Sequence, residues 1–123
     1  GTGFQNTLDI ISECFEPNGA AFICANSSRN GYIDWYLPSI DELQKIYQNL
    51  HLQGVGNLFL SYNSYWSSSE VESSNAPNEE KAYNFGFEDG SIYPTDGDVN
   101  DGTGILGGSF KSETKHVRQI RSF

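Results

Sequence analysis

Asp34-Trp35-Tyr36-Leu37-Pro38-Ser39-Ile40-Asp41-Glu42-Leu43 carries the strongest local signals in the chain. Trp35-Tyr36-Leu37 reads as a short, buried, extended stretch. Pro38 fixes a bend. Ser39 with Glu42 three residues later is a capping box, in which the serine oxygen and the glutamate carboxylate each accept one of the first backbone N–H groups of a helix. Leu43, Ile46, Tyr47 and Leu50 then recur at i, i+3, i+4 and i+7, which puts them on one helical face. The stretch therefore predicts a core strand, a bend and a capped amphipathic helix.

Upstream, Asn6-Thr7 has the residue types of a helix cap, and Leu8, Ile10, Ile11 and Phe15 supply an apolar stripe behind it. Glu16-Pro17-Asn18-Gly19 stops that helix. Ala20 to Ala25, small and apolar, reads as a second helical turn on the core, and Ser27 to Gly31 as a turn. Downstream, Tyr65-Trp66-Ser67-Ser68-Ser69-Glu70 begins as a strand, with residues 67–80 as a polar excursion. Ala82, Asn84, Phe85 and Phe87 form a second strand that ends at the Glu88-Asp89-Gly90 turn. Val117-Arg118-Gln119-Ile120-Arg121-Ser122-Phe123, with His116 before it, reads as a closing strand. Trp35 and Trp66 are expected in the core. Tyr62, Tyr65, Tyr83 and Tyr93, which flank loops, are the expected exposed aromatics. Arg118 and Arg121 are expected to pair internally with Glu42, Glu70 or Asp34.

Residues 90–110 differ from the rest. Seven of the 13 glycines fall in 86–108, beside Asp96, Asp98, Asn100 and Asp101. A long irregular segment of this kind in a compact domain is usually functional or mobile. Three carboxylates and an amide oxygen at near-alternating positions are hard donors of the sort calcium takes. The order departs from the EF-hand loop, since Asp101 stands where that loop has glycine and no glutamate closes it. A calcium site and a solvated acidic loop are the two readings.

The chain has 123 residues, enough for one domain with a real core, and no apolar run approaches the about 20 residues that span a bilayer. The net charge of −9 opposes binding to nucleic acid, anionic lipid or sulfated polysaccharide. Direct membrane insertion is not expected. The charge is segregated: four of the seven basic residues (Lys111, Lys115, Arg118, Arg121) lie near the C-terminal end, and residues 82–110 contain none. Methionine is absent even at position 1, so Gly1 reads as a processed end or a cut inside a longer protein. Cys14 and Cys24 fit neither a metal knuckle nor a redox CxxC motif. They are either a disulfide in an exported protein or two free thiols in a cytosolic one.

Taken together, Asn6-Thr7, Ile10, Cys14, Ala20-Ala21, Cys24, Gly31-Tyr32, Asp34 to Leu43, Tyr47, Tyr65 to Glu70, Ala82, Phe85, Gly90, Lys115, Val117-Arg118 and Ile120-Arg121 resemble the bacterial DUF1566 family, which includes the C-terminal domain of the Legionella collagen-like adhesin. The resemblance covers nearly the whole chain, and its first two blocks are the specific ones. It implies an α+β, C-type-lectin-like fold: two main helices flanking small twisted antiparallel sheets, with a long irregular loop region that carries binding. It also implies a single domain over residues 1–123 of an exported or cell-surface bacterial protein. Family copies begin with an upstream Gly-rich strand segment that is missing here. Residues 91–110 look expanded relative to the family.

Other motifs are weaker. Glu16-Pro17-Asn18 matches the sugar-selecting triplet of calcium-dependent lectins but lies between the first two helices, where a turn is expected. Gly102-Thr103-Gly104-Ile105-Leu106-Gly107 satisfies GxGxxG without the strand and helix that a pyrophosphate site needs. His51 and His116 belong to no zinc motif, Ser67 to Ser69 to no nucleophile elbow, and Asn26-Ser27-Ser28 is a sequon without consequence in a bacterial protein. Sulfatase-modifying enzymes share the lectin-like architecture but use late cysteines, whereas Cys14 and Cys24 are early.

The expected function is non-enzymatic recognition of a glycan or a cell-surface protein, adhesin-like, through residues 88–110. The ligand-binding set is Glu70, Asn84, Asp89, Tyr93, Asp96, Asp98, Asn100 and Asp101. The last four, Asp96, Asp98, Asn100 and Asp101, are the candidate calcium ligands. The alternative is a structural or assembly domain of a fibre, pilus or filament, with self-assembly through the same loops.

Overall fold

A computed structural model describes residues 1–58, 64–71, 81–93, 109–110 and 114–122. Within them the chain is mixed helix and antiparallel sheet. Helices α1 (Gly3–Glu13), α2 (Ala20–Ala25) and α3 (Ile40–Asn49) precede strands β1 (Tyr65–Glu70), β2 (Lys81–Phe85), β3 (Ile92–Tyr93) and β4 (Ser109–Phe110). Short 3-10 turns follow α2 and α3, at Arg29–Gly31 and His51–Gln53. No helix among the described residues is long and apolar enough to cross a membrane.

Strand β2 is central. It pairs antiparallel with β1 on one side, Tyr65 opposite Phe85 and Trp66 opposite Asn84. On its other side it pairs antiparallel with both β3 and β4. The C-terminal segment closes the far edge of β1 through exchanged backbone bonds between His116 and Ser64–Trp66. It then meets the first block at Tyr36 and Ile120, again by two backbone bonds. The expected closing strand over 116–123 is thus two isolated bridges rather than a continuous ladder.

Side-chain alternation splits the core across the sheet. On one face Trp66 and Ala82 pack with Leu37, Ala21 and Cys24, and with the partly buried Ile10, Ile11 and Val117. On the other face Tyr65, Phe85 and Phe87 pack with Leu43 and Leu58, and with Ile40, Ile46 and Tyr47 of α3. Helices α1 and α2 therefore cover one face and α3 the other. The second cluster is aromatic: Phe87 lies edge-on to Tyr65 at 5.1 Å and to Phe85 at 5.0 Å, and Tyr47 stacks on His51 at 5.3 Å. Gly90 closes this side with φ of 77°; a Cβ there would stand 2.7 Å from Tyr47 Cε1, so both the turn and the ring demand glycine.

The capping box of α3 is formed as the sequence predicts. Ser39 Oγ accepts from Glu42 N (3.4 Å) and Glu42 Oε2 from Ser39 N (2.8 Å). Helix α2 has the expected bounds. Helix α1 does not. It starts at Gly3, so Asn6 and Thr7 lie inside it rather than at its cap. Their side chains make long-range bonds instead. Asn6 Nδ2 donates to the Ser68 carbonyl at 3.2 Å. Thr7 Oγ1 is buried, accepts from Leu37 N at 3.0 Å and donates to the Gly3 carbonyl at 2.7 Å. The buried face of α1 is built on Gly3 and Thr7, and the expected stripe turns outward at Leu8 and at Phe15 beyond the helix, which is 76% exposed. Gly3 is required sterically: a Cβ would meet Glu42 Oε2, and at 2.8 Å the backbone of Leu37 and Ser39.

Trp66 is a core residue as expected, but Trp35 is only half-buried, its Nε1 donating to the Arg29 carbonyl at 3.1 Å. Tyr65, expected outside, is buried under α3. Tyr62 lies outside the described residues.

The Thr7 clamp yields a test. Thr7→Val keeps the shape but strands the buried Leu37 N–H, and is expected to cost about 1–3 kcal/mol. Thr7→Ser keeps the hydroxyl and gives up one methyl, worth about 0.8 kcal/mol. Urea unfolding of the two variants should rank valine as the more destabilised; equal losses would remove the hydrogen bond from the account.

Candidate functional site

The Tyr65-to-Glu70 block is polar yet mostly buried, and its serines explain why. Trp66 faces Asn84 and Glu70 faces Ala82, so Ser67, Ser68 and Ser69 stand opposite the single residue Tyr83. This is a bulge, which takes ladder bonds away from the strand. Ser67 Oγ restores one by donating to the Tyr83 carbonyl at 2.7 Å. Ser68 N donates to the Pro38 carbonyl at 2.8 Å. Ser69 Oγ accepts from Ile40 N at 3.1 Å, so the bulge also caps α3. The three serines are bonding partners of the scaffold.

The third block is tied in the same way. Arg121 grips Asp34 with three bonds, Nε to Oδ1 and Nη2 to Oδ2 at 2.9 Å and Nε to Oδ2 at 3.2 Å. Its guanidinium lies 3.6 Å above the Tyr32 ring. This is one of the pairings expected from the sequence. Lys115 stands 5.4 Å from the Trp66 ring, a cation–π contact.

The expected ligand-binding residues scatter. Glu70 is exposed at the end of β1, opposite Ala82. It is separated from β4 by the width of β2, about 10 Å for two strand spacings. Asn84 is 1% exposed in the middle of β2, between Trp66 and Tyr93. Its place in the sheet interior removes it from any surface set. Asp89 is exposed in the β2–β3 turn; its Oδ1 accepts from Ser91 N at 2.9 Å, and hydrogen bonds from Ser91 hold its carboxyl below the usual carboxylate range. Asp89 therefore shapes the hairpin. Tyr93 ends β3 opposite Asn84. Asp96, Asp98, Asn100 and Asp101 lie outside the described residues. Among the described residues no three His, Cys, Asp or Glu side chains are grouped to hold a metal ion.

Cys14 and Cys24 are free thiols, not the disulfide that was one of the two expectations. Cys14 is exposed at the C-cap of α1, whereas Cys24 is fully buried on the inner face of α2. Burial pushes the Cys24 thiol up to about 12.

Sequence reading missed the two residues that hold α1 in place, Asn6 and Thr7. Their pairing with Ser68 and Leu37, 62 and 30 positions away, leaves no periodic trace. No protein-family model, curated protein or solved structure matches this chain.

Two outcomes are expected. In the native state at neutral pH a maleimide should add once, at Cys14, and a second time only in denaturant, because the thiolate is the reactive form and Cys24 is buried and protonated. No adduct in denaturant without reductant would mean a disulfide. For pH, the Arg121 contact lowers the Asp34 carboxyl. A lowered acid contributes stability that is present above its unfolded value of about 3.9 and lost as pH falls through the folded value. Asp34→Asn should therefore destabilise at pH 7 by a deficit that shrinks as pH falls below about 3.9, measured by denaturant midpoints; a pH-independent deficit would contradict the ion pair.

Proposed function

We propose that this chain is a non-enzymatic ligand-binding module of a bacterial surface or secreted protein, adhesin-like, on a C-type-lectin-like fold. It recognises a glycan or a cell-surface protein through the 88–110 segment. One observation carries the reading: polar groups of all three sequence blocks are bonded within the scaffold, while the acidic segment leaves and rejoins the outer edge of the sheet between β3 and β4. The helices on both faces of the sheet and the resemblance of the blocks support the lectin-like assignment.

In this reading Asp96, Asp98, Asn100 and Asp101 offer oxygens to sugar hydroxyls, directly or through calcium. Tyr93, where the segment departs, adds an aromatic side chain. Asn84 contributes only by pairing with Tyr93. The net charge of −9 favours a neutral glycan over a sulfated one. Glycan arrays with calcium and with EDTA test this. Binding that EDTA and the triple change Asp96→Asn, Asp98→Asn, Asp101→Asn both abolish is the expected result; silence on every glycan in both conditions sinks the carbohydrate version.

A second reading, an assembly domain of a surface fibre, is favoured by one feature. The outer surface of α1 and α2 leaves Phe4, Leu8 and Ile23 about half exposed, and Phe15 more so. Apolar side chains left exposed in this way are of the kind that interfaces cover. Light scattering that rises with concentration, and falls in Leu8→Lys, would select it.

A further inference from the structure

Strands β3 and β4 lie on the same edge of β2 and run in the same direction along it. Phe85 faces Ile92 and Asn84 faces Tyr93; further along, Ala82 faces Ser109 and Lys81 faces Phe110. On β2 only Tyr83 lies between the two pairings. The partner strand therefore advances by two positions, from Asn84 to Ala82, where the chain advances from Tyr93 to Ser109. We infer that β3 and β4 are the two halves of one edge strand, and that residues 94–108 are an insertion which the sheet can lose once a single residue joins Tyr93 to Ser109.

The sequence at the two ends of the break fits. Pro94 follows Tyr93 in the sequence, and proline cannot donate to a ladder. Gly107-Gly108 precedes Ser109 in the sequence, and glycine takes turn conformations that other residues resist. The joining residue must be one, neither none nor two. Side chains of a strand alternate faces, so with one residue Tyr93 and Ser109 keep a common face, as their partners Asn84 and Ala82 do on β2. With none or two, Ser109 and Phe110 are inverted or lose their partners.

The consequence for recognition rests on the proposed function. If that reading is correct, the specificity of this domain resides in an insert of the edge strand. The insert is then separable from folding, and a different insert at the same break would change the ligand without changing the core.

Three variants test the inference, with residues 94–108 replaced by no residue, by one threonine or by two threonines. The single-threonine variant is expected to fold, to melt at or above the temperature of the full chain because a shorter closure costs less entropy, and to keep the β2 amides protected from hydrogen exchange. Cross-strand NMR contacts should link the new threonine to Tyr83. The other two should melt lower. Failure of the single-threonine variant to fold, or equal melting of all three, overturns the one-strand inference. The folded variant then goes onto the glycan array beside the full chain. Loss of binding supports recognition by the insert. Retained binding, or a full chain that binds nothing, refutes that recognition reading and leaves the strand result standing, so the two failures are distinguishable.

Discussion

The fold depends on hydrogen bonding of the backbone from Tyr36 to Ile40. Tyr36 to Ser39 are buried, where an unpaired polar group costs about 1–3 kcal/mol. Tyr36 exchanges two bonds with Ile120, and the Leu37 N–H goes to Thr7 Oγ1. The Pro38 carbonyl takes Ser68 N, and Ser39 N and Ile40 N go to Glu42 and Ser69. The partners come from separated parts of the chain: α1, the β1 bulge, α3 itself and the C-terminal segment. Satisfying one buried stretch therefore assembles the whole domain. Pro38 suits its place because the one N–H it lacks needs no partner.

The same accounting explains why the Tyr65-to-Glu70 block is rich in serine. A bulge in a buried strand leaves ladder positions unpaired, and a short side chain with a hydroxyl can take them up without needing space. Ser67 does so toward Tyr83 and Ser69 toward α3. Glu42 shows the economy of the arrangement: one carboxylate accepts from Ser39 N, Gly3 N and the Tyr36 hydroxyl, so the starts of α1 and α3 share it. Gly3 is the residue that lets α1 approach closely enough.

The elements differ in how legible they were, and for physical reasons. The α3 helix could be read because its cap and apolar face are local, spaced by the helical turn. Helix α2 was legible from its short run of small apolar residues, and β2 from the apolar positions before a turn signal, though the strand ends at Phe85 and Phe87 lies beyond it. The start of α1 was misread because Asn and Thr are cap residues by preference, while here their side chains serve partners far along the chain. Trp35 was placed in the core as part of a short extended stretch, but that block is buried only from Tyr36 to Ser39. Asn84 was offered as a ligand because it is polar beside a loop; its neighbours across the sheet, not its chemistry, put it inside. The pairing of Arg121 with Asp34 was legible as charge, though its choice among three acids was not.

Residue order alone established a capped helix, a proline bend, two strands and an acidic, glycine-rich segment, because each of these is written in neighbours a few positions apart. The pairing of distant positions settled the rest: which serine closes which gap, which cysteine is covered, and that Ile92-Tyr93 and Ser109-Phe110 continue one line along β2. Such relations depend on which strands lie side by side. A strand broken by residues 94–108 looks, in one dimension, like an irregular loop with short extended ends. Its continuity exists only in the register against β2.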